Sequence, residues 1–154
     1  MSIYFVDSSA LVKRYVTETG SAWVKELTSP AMRNQLVIAR ITWVEVLSAL
    51  ARRQREGSLT AEDVIQLSRV FSYDMDSQYQ VAELDAALAR VAGELVVQHP
   101  MRAYDAVQLA SALRIQSELA QAGVTTLIFV TADERLRDIA QAEGLPTDNP
   151  KDHP

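Results

Sequence analysis

Short runs of apolar residues alternate along this chain with longer amphipathic segments. Residues 3–6, 36–39 and 127–130 form three such runs without a polar interruption, and a weaker one surrounds Gln80 and Val81. Short apolar runs that do not alternate are typical of strands covered on both faces, as in a parallel sheet. The pattern therefore predicts three strands and a fourth, weaker one.

Helical periodicity fills the segments between these runs. We expect three apolar stripes at helical spacing to face the core: Leu84, Ala87, Leu88, Val91 and Leu95; Ala106, Leu109, Ala110 and Leu113; and Val44, Leu47 and Leu50. Gly57 is predicted to end the helix with the last of these stripes, and Thr60 with Asp63 to begin the next helix. Strands joined through helices require right-handed crossovers. The predicted fold is an α/β/α domain with three layers, in which helices flank a central parallel sheet.

Composition narrows the class of protein. With 154 residues, 48% of them hydrophobic and 23% charged, the sequence predicts one globular domain spanning residues 1–154. The absence of cysteine excludes disulfides and thiolate metal sites and favours a reducing cytoplasm. No apolar run approaches the length of a membrane span, so we expect neither an anchor nor a standard secretion signal. A net charge of −5 argues against a general nucleic-acid coat protein, unless a local basic surface or a bound metal compensates.

Two aspartates follow predicted strands. Asp7 comes directly after the first apolar run, and Asp133 comes shortly after the last. Ligands of open parallel sheets bind outside the carboxyl ends of the strands, so we expect both carboxylates at one rim. A structural alternative exists for each of them. Asp7 is a favourable helix cap, and Thr131 could begin a capping box that ends at Glu134.

Two further acids lie in apolar helical segments. Glu45 is in ITWVEVLSAL, which predicts a largely buried helix with no cation three or four positions away. Asp105 is in RAYDAVQLASAL and borders a predicted core stripe. The alternatives are an exposed position for Glu45 and a local ion pair between Asp105 and Arg102.

If these four acids meet, electrostatics dictates what else the site needs. Two carboxylates ~5 Å apart repel each other by about 3 kcal/mol at an effective dielectric constant of ~20. A divalent cation removes that conflict. Neither His99, at a predicted helix end, nor His153, in the proline-rich tail, is expected to join the site. A donor set made only of oxygen favours Mg²⁺ or Mn²⁺ over zinc.

Four segments together resemble a known family. In this order and at about these separations, VDSSALVKRY, WVEVLSALARR, RAYDAVQLASAL and FVTADERL resemble the PIN-domain nucleases, especially the VapC-type toxins of prokaryotic toxin–antitoxin pairs. The resemblance implies RNA cleavage that depends on Mg²⁺ or Mn²⁺, with a metal site formed by Asp7, Glu45, Asp105 and Asp133. Ser9 and Thr131 match hydroxyl positions of the family. Many relatives have histidine where this chain has Gln108, which puts a substrate contact at that position in doubt.

The expected chemistry is hydrolysis by a water that the metal activates and that Glu45 orients or deprotonates. Direct attack by water predicts products with a 5′-phosphate and a 3′-hydroxyl. Basic residues could form a phosphate track, although single surface cations are usually only solvated; the candidates are Lys13, Arg14, Arg40, Arg52 and Arg102, with Arg53 and Arg55.

The family resemblance also implies partners. It predicts a homodimer and a cognate VapB-like antitoxin whose tail enters the active-site groove and often places a basic residue near the acids. Apolar residues of the third and fourth helices suit either such an interface or the core, among them Val64, Leu67, Val70 and Phe71.

Three other classes of protein remain as alternatives. A phosphoacceptor receiver domain would need a lysine after a late strand, and none follows Val130. A haloacid-dehalogenase-like phosphatase would need a second aspartate at the position of Ser9. A noncatalytic binding module with a PIN-like fold would not require all four acids.

Overall fold

The computed structural model describes residues 2–124 and 126–154, and its strands form one sheet. All the strand pairs are parallel, in the order β3-β2-β1-β4-β5. The strands are β1 (Ile3–Val6), β2 (Gln35–Ala39), β3 (Tyr79–Ala82), β4 (Leu127–Val130) and β5 (Thr147–Asp148). The four strands expected from the apolar runs are confirmed. The sequence pattern did not predict β5, because its two residues are polar and only half-buried.

Helices connect the strands and cover the sheet. The described residues form α1 (Ser8–Tyr15), α2 (Ser21–Leu27), α3 (Thr42–Arg55), α4 (Ala61–Ser77), α5 (Ala86–Gln98), α6 (Ala103–Gln121) and α7 (Glu134–Ala142). Gly57, with φ of +85°, lies just beyond the end of α3 as predicted. The Thr60 side chain accepts from the Asp63 N–H while the Asp63 side chain accepts from the Thr60 N–H, which confirms the predicted start of α4.

Side chains of the sheet point alternately into two apolar clusters. Phe5 packs in one of them with residues of α5, α6 and α7, including Leu109. Val6 packs in the other with residues of α1, α3 and α4, including Phe71. The sheet is therefore covered on both faces, and the predicted three-layer α/β/α arrangement is confirmed.

The apolar stripes of α3 and α5 are narrower than predicted. Four residues expected to face the core are exposed instead: Val44 of α3, Leu84, which lies before the start of α5, and Ala87 and Val91 of α5. The residues that α3 and α5 bury are Thr42, Val46 and Leu50, and Leu88, Ala92 and Leu95. Val44 is two positions before Val46, about 200° around the helix, and so faces the opposite side. The expectation that the helix around Glu45 is largely buried is therefore wrong.

A close contact between Gly20 and Pro150 fixes the position of the C-terminal segment. Gly20 has φ of +87°, and a β-carbon there would overlap the backbone of Pro150, so glycine satisfies both requirements. The 3₁₀ turn Pro150–Asp152 consequently packs beside the start of α2. The buried Asn149 side chain caps this turn, accepting from the Lys151 N–H at 2.9 Å. Among the described helices, none is both long enough and apolar enough to cross a bilayer.

Candidate active site

Asp7 and Asp133 follow neighbouring strands at the same edge of the sheet. Asp7 comes directly after β1 and Asp133 three residues after β4, and these two strands pair in parallel. The Asp7 N–H donates to the carbonyl of Val130 at 3.0 Å, which joins the ends of the two strands. The rim expected from the sequence is present.

The Asp7 carboxylate is buried and surrounded by donors. It is 2% exposed and accepts from the Thr131 hydroxyl at 2.7 Å, the Ser9 hydroxyl at 2.7 Å and the Ala10 N–H at 3.0 Å. Burial nevertheless raises the pKa of Asp7 to about 7, against the effect of these hydrogen bonds. The bond from Ala10 caps α1, so the structural role proposed for Asp7 is real. A helix cap at the surface would need neither this burial nor the two additional hydroxyl donors.

The start of α7 differs from the predicted capping box. Asp133, not Thr131, caps this helix, and its Oδ1 accepts from the N–H groups of Arg135 and Leu136. Thr131 lies deeper, fully buried, where its hydroxyl accepts from the Asp133 N–H at 3.1 Å and donates to Asp7. One threonine hydroxyl therefore connects the two strand-end aspartates.

Glu45 is half-buried and held by neutral donors. Its Oε2 accepts from the Ser8 hydroxyl at 2.9 Å, and its Oε1 accepts from Gln108 Nε2 at 2.7 Å. Gln108 also donates to Thr42, while its own buried Oε1 has no hydrogen-bond partner. The negative charge of Glu45 adds to the effect of burial in raising the pKa of Asp7.

Arg102 lies over the other two acids. Its Nε is 3.3 Å from Asp105 Oδ2, and its Nη2 is 3.7 Å from Asp133 Oδ2. Burial raises the pKa of Asp105; Arg102 opposes that shift and the charge of Asp133 adds to it. The local pair considered for Asp105 is present, but the guanidinium is shared with Asp133. Its side chain is 81% exposed, so such contacts are weak.

These four carboxylates, which we call the acid site, line one region of the rim without converging on a point. Over residues 2–124 and 126–154, no three acidic or histidine side chains are close enough together to hold one ion. Cavities of about 660 and 420 Å³ adjoin the site, the first lined by Asp105 and Asp133 and the second by Glu45. Arg102 lines both cavities.

The predicted basic residues do not form one track. Lys13 is buried and paired with Glu18, which also pairs with Arg53. Arg14 donates to Gln78 and to Tyr79, the first residue of β3, and so lies at the other end of the sheet from the acids.

The remaining basic candidates differ in their distance from the acids. Arg40 pairs with Glu83, and Arg55 is exposed near the end of α3. Arg52 lies beside the acid site, lining the cavity that contains Glu45.

Two cations near the acids were missed. Arg135 and Lys151 line a cavity of about 520 Å³ together with Arg52 and Asp133. Arg135 could have been found from its position two residues after Asp133. No local signal identifies Lys151, because its place depends on how the C-terminal segment folds back onto α2.

A parallel sheet with four acids at its carboxyl edge is typical of a metal-dependent nuclease, and comparison with known sequences identifies the family. The model of the PIN domain matches residues 4–142, and the chain belongs to the PIN-domain family. Two relatives from Mycobacterium tuberculosis, ribonuclease VapC45 and ribonuclease VapC49, are each 33% identical over 144 residues, which cover 94% of this chain and 93% of each relative. The chain thus groups with the VapC-type ribonucleases.

Solved structures agree on the fold. VapBC2 from Rickettsia felis, solved bound to a promoter DNA fragment, aligns with a TM-score of 0.61 at 17% identity, covering 96% of this chain and 98% of that one. VapC20 from M. tuberculosis, described as a toxin that cleaves the sarcin–ricin loop, aligns with a TM-score of 0.62 at 17% identity, covering 92% of this chain and 95% of that one. A toxin–antitoxin complex from Klebsiella pneumoniae gives 0.60 at 16%, with coverage of 96% and 97%.

Proposed function

We propose that this chain is the endoribonuclease toxin of a VapBC-type toxin–antitoxin pair and that it hydrolyses RNA at the acid site. The observation that carries the proposal is the set of four carboxylates at the carboxyl rim of a parallel sheet in a PIN-domain chain. The two VapC ribonucleases with 33% identity support the activity. The residue roles rest on the contacts of these side chains.

The acid site suits a divalent ion. Ribonucleases of the PIN family generally use one, and the donors here are all carboxylate oxygens, which suit Mg²⁺ or Mn²⁺. Asp7 provides a physical reason, because a carboxylate whose burial raises its pKa to about 7 is stabilised as an anion by a nearby cation. Because no three acidic side chains of the described residues are close enough to share one ion directly, at least some of Asp7, Glu45, Asp105 and Asp133 would hold it through water.

Each side chain has a distinct task in this proposal. A divalent ion held at the acid site would lower the pKa of a water molecule and draw charge from the phosphate. Ser9 and Thr131 fix the orientation of Asp7 through hydrogen bonds of 2.7 Å. Ser8 and Gln108 hold the two oxygens of Glu45, which is thereby placed to orient or deprotonate the attacking water. The products would have 5′-phosphate and 3′-hydroxyl ends.

The proposed partners follow from the same relationship. We expect a VapB-like antitoxin, in keeping with the toxin–antitoxin complexes among the structural neighbours. The cavity of about 420 Å³ beside Glu45 offers its tail a partly apolar surface that includes Val44 and Tyr104, both about 60% exposed. We further propose that the chain forms a homodimer and acts in the cytoplasm, where its RNA substrate is.

Incubation with total RNA tests the proposed activity. Wild-type protein should cleave RNA with Mg²⁺ or Mn²⁺ and should lose that activity with EDTA, and mapped ends should carry 5′-phosphates. Asp105→Asn should abolish cleavage, whereas Asp138→Asn, a change at an exposed aspartate of α7, should not. Equal cleavage by wild type and Asp105→Asn, or products with 2′,3′-cyclic phosphates, would contradict the mechanism. RNA binding without any cleavage would favour the noncatalytic module.

A further inference from the structure

A cavity beside the acid site is lined by three cations that have no ion-pair partner among the described residues. It measures about 520 Å³ and is lined by Arg52, Arg135 and Lys151, by Lys13, which is paired with Glu18, by Ser9, and by Asp133 of the acid site. We call it the basic cavity. Within the part of the chain that the structure describes, none of these three cations lies within 4.0 Å of a carboxylate oxygen.

The acids that line the same cavity are already engaged. Glu18 pairs with Lys13 and with Arg53, so its charge is compensated twice. Glu134 lies 3.6 Å from a nitrogen of Arg137 and accepts a hydrogen bond from Asn149.

Asp133, the third of these acids, accepts two backbone N–H groups with one oxygen and lies near Arg102 with the other. The basic cavity therefore keeps an excess of positive charge on a protein whose net charge is −5.

Hydrogen bonds fix the backbone at two of the three cationic residues. The Arg135 N–H donates to Asp133 Oδ1 at 2.9 Å, and the Lys151 N–H donates to the buried Asn149 at 2.9 Å. Arg52 is on α3, whose buried face includes Leu50. The exposed side chains keep their freedom, but their starting points are fixed on three separate elements.

The position of the basic cavity matches a strand of nucleic acid that crosses the acid site. Arg52 also lines the cavity that contains Glu45, and Arg135 also lines the cavity that contains Asp105. A chain whose scissile phosphate lies at the acids would bring a neighbouring phosphate close to these cations. Arginine and lysine bind phosphates through charge-assisted hydrogen bonds.

We propose that the basic cavity binds a phosphate next to the scissile one in a single-stranded RNA substrate, through Arg52, Arg135 and Lys151. This inference rests on the proposed function, because binding of the scissile phosphate at the acid site determines which phosphate of the RNA reaches the basic cavity. It predicts that the cations contribute to binding of oligonucleotides and contribute nothing to a dinucleotide, whose one phosphate occupies the acid site.

The test uses Arg135→Gln combined with Lys151→Gln, and Arg90→Gln as the control, since Arg90 is an exposed arginine on α5. Binding of a fluorescein-labelled eight-nucleotide RNA is followed by anisotropy over a series of salt concentrations, with Ca²⁺ in place of Mg²⁺. Loss of two phosphate contacts should weaken binding by about 20-fold and reduce the slope of log K against log salt by about 1.4. The control should match wild type in both respects.

Cleavage assays with Mg²⁺ separate this inference from the proposed function. The double variant should lose kcat/KM on the eight-nucleotide RNA through a higher KM and should cleave a dinucleotide as wild type does. If the wild type cleaves RNA while the double variant keeps its affinity and salt slope, the basic cavity is not a phosphate site and the proposed function stands. Equal losses on both substrates would also overturn the inference. A wild type that neither binds nor cleaves RNA would overturn both proposals.

Discussion

The carboxyl group of Asp7 is almost fully buried, and Asp7→Asn tests what that burial costs the protein without metal. Burial raises the pKa of Asp7 to about 7 from an ordinary value of 3.8, so the folded chain holds a proton that the unfolded chain releases. Between about pH 4 and pH 7 the folded state therefore binds more protons, and stability falls as the pH rises through that window. This difference between the folded and the unfolded pKa corresponds to about 4 kcal/mol of stability lost above pH 7.

The amide avoids this penalty and keeps most of the local contacts. Its oxygen can accept from the Ala10 N–H and the Ser9 hydroxyl, and its NH₂ group can donate to the Thr131 hydroxyl, which now accepts. After allowing about 1 kcal/mol for the altered contact with Thr131, we expect Asp7→Asn to be more stable than wild type by about 3 kcal/mol at pH 8 in EDTA.

Urea denaturation in EDTA at pH 5, 6, 7 and 8 measures this effect. The difference between the variant and wild type should grow with pH and should reach its plateau above pH 7. Adding Mg²⁺ at pH 8 should stabilise wild type and leave Asp7→Asn nearly unchanged, because a ligand stabilises only the state that binds it. A variant that is no more stable than wild type at pH 8, or a difference independent of pH, would refute the reasoning about burial.

Three other predictions concern neighbouring features. Arg102→Gln removes the guanidinium that lies over Asp105 and Asp133. Loss of a competing ion pair of about 1 kcal/mol should make Mn²⁺ bind about fivefold more tightly, as measured by calorimetry. Unchanged affinity would show that the arginine does not compete with the metal ion. Thr131→Val leaves Asp7 without one of its two hydroxyl donors at 2.7 Å and should lower the free energy of unfolding by about 1–3 kcal/mol in urea; a neutral effect would count against the shared hydroxyl. Val70→Asp places a charge on an exposed apolar residue of α4 and should convert the proposed homodimer to a monomer, as measured by light scattering. The control Val97→Asp, at an 87% exposed residue of α5, should remain dimeric. Dimers in both variants would exclude the exposed face of α4 as the dimer interface.

The sheet could be predicted from the sequence because its strands are buried on both faces. Such strands need continuous apolar runs, and the strands at β1, β2 and β4 are only four or five residues long, shorter than a typical helix. β5 has no such signal, since backbone pairing with β4 defines it and its side chains are polar. The exposed faces of α3 and α5 were misjudged because apolar residues such as Val44 follow helical spacing without facing the core.

The acid site was predictable only in part, for a similar reason. Strand order places Asp7 beside Asp133, and the sequence implied that proximity through the ends of β1 and β4. The partners of Glu45 could not be predicted, because Gln108 reaches it from another helix across a long sequence separation. Phe71 proved to be core and Val70 exposed, a distinction that depends on how α4 is rotated against the sheet.

The tight contact between Gly20 and Pro150 makes the position of Lys151, and so the proposed RNA binding, depend on a residue that has no side chain. A larger residue at position 20 would displace the turn Pro150–Asp152. The ammonium group of Lys151 would then move away from the basic cavity, where we expect an RNA strand to pass. Substrate affinity could then change while every charged residue of the protein stayed the same. Variants with altered RNA preference should accordingly be sought at this backbone junction as well as among the arginines and lysines.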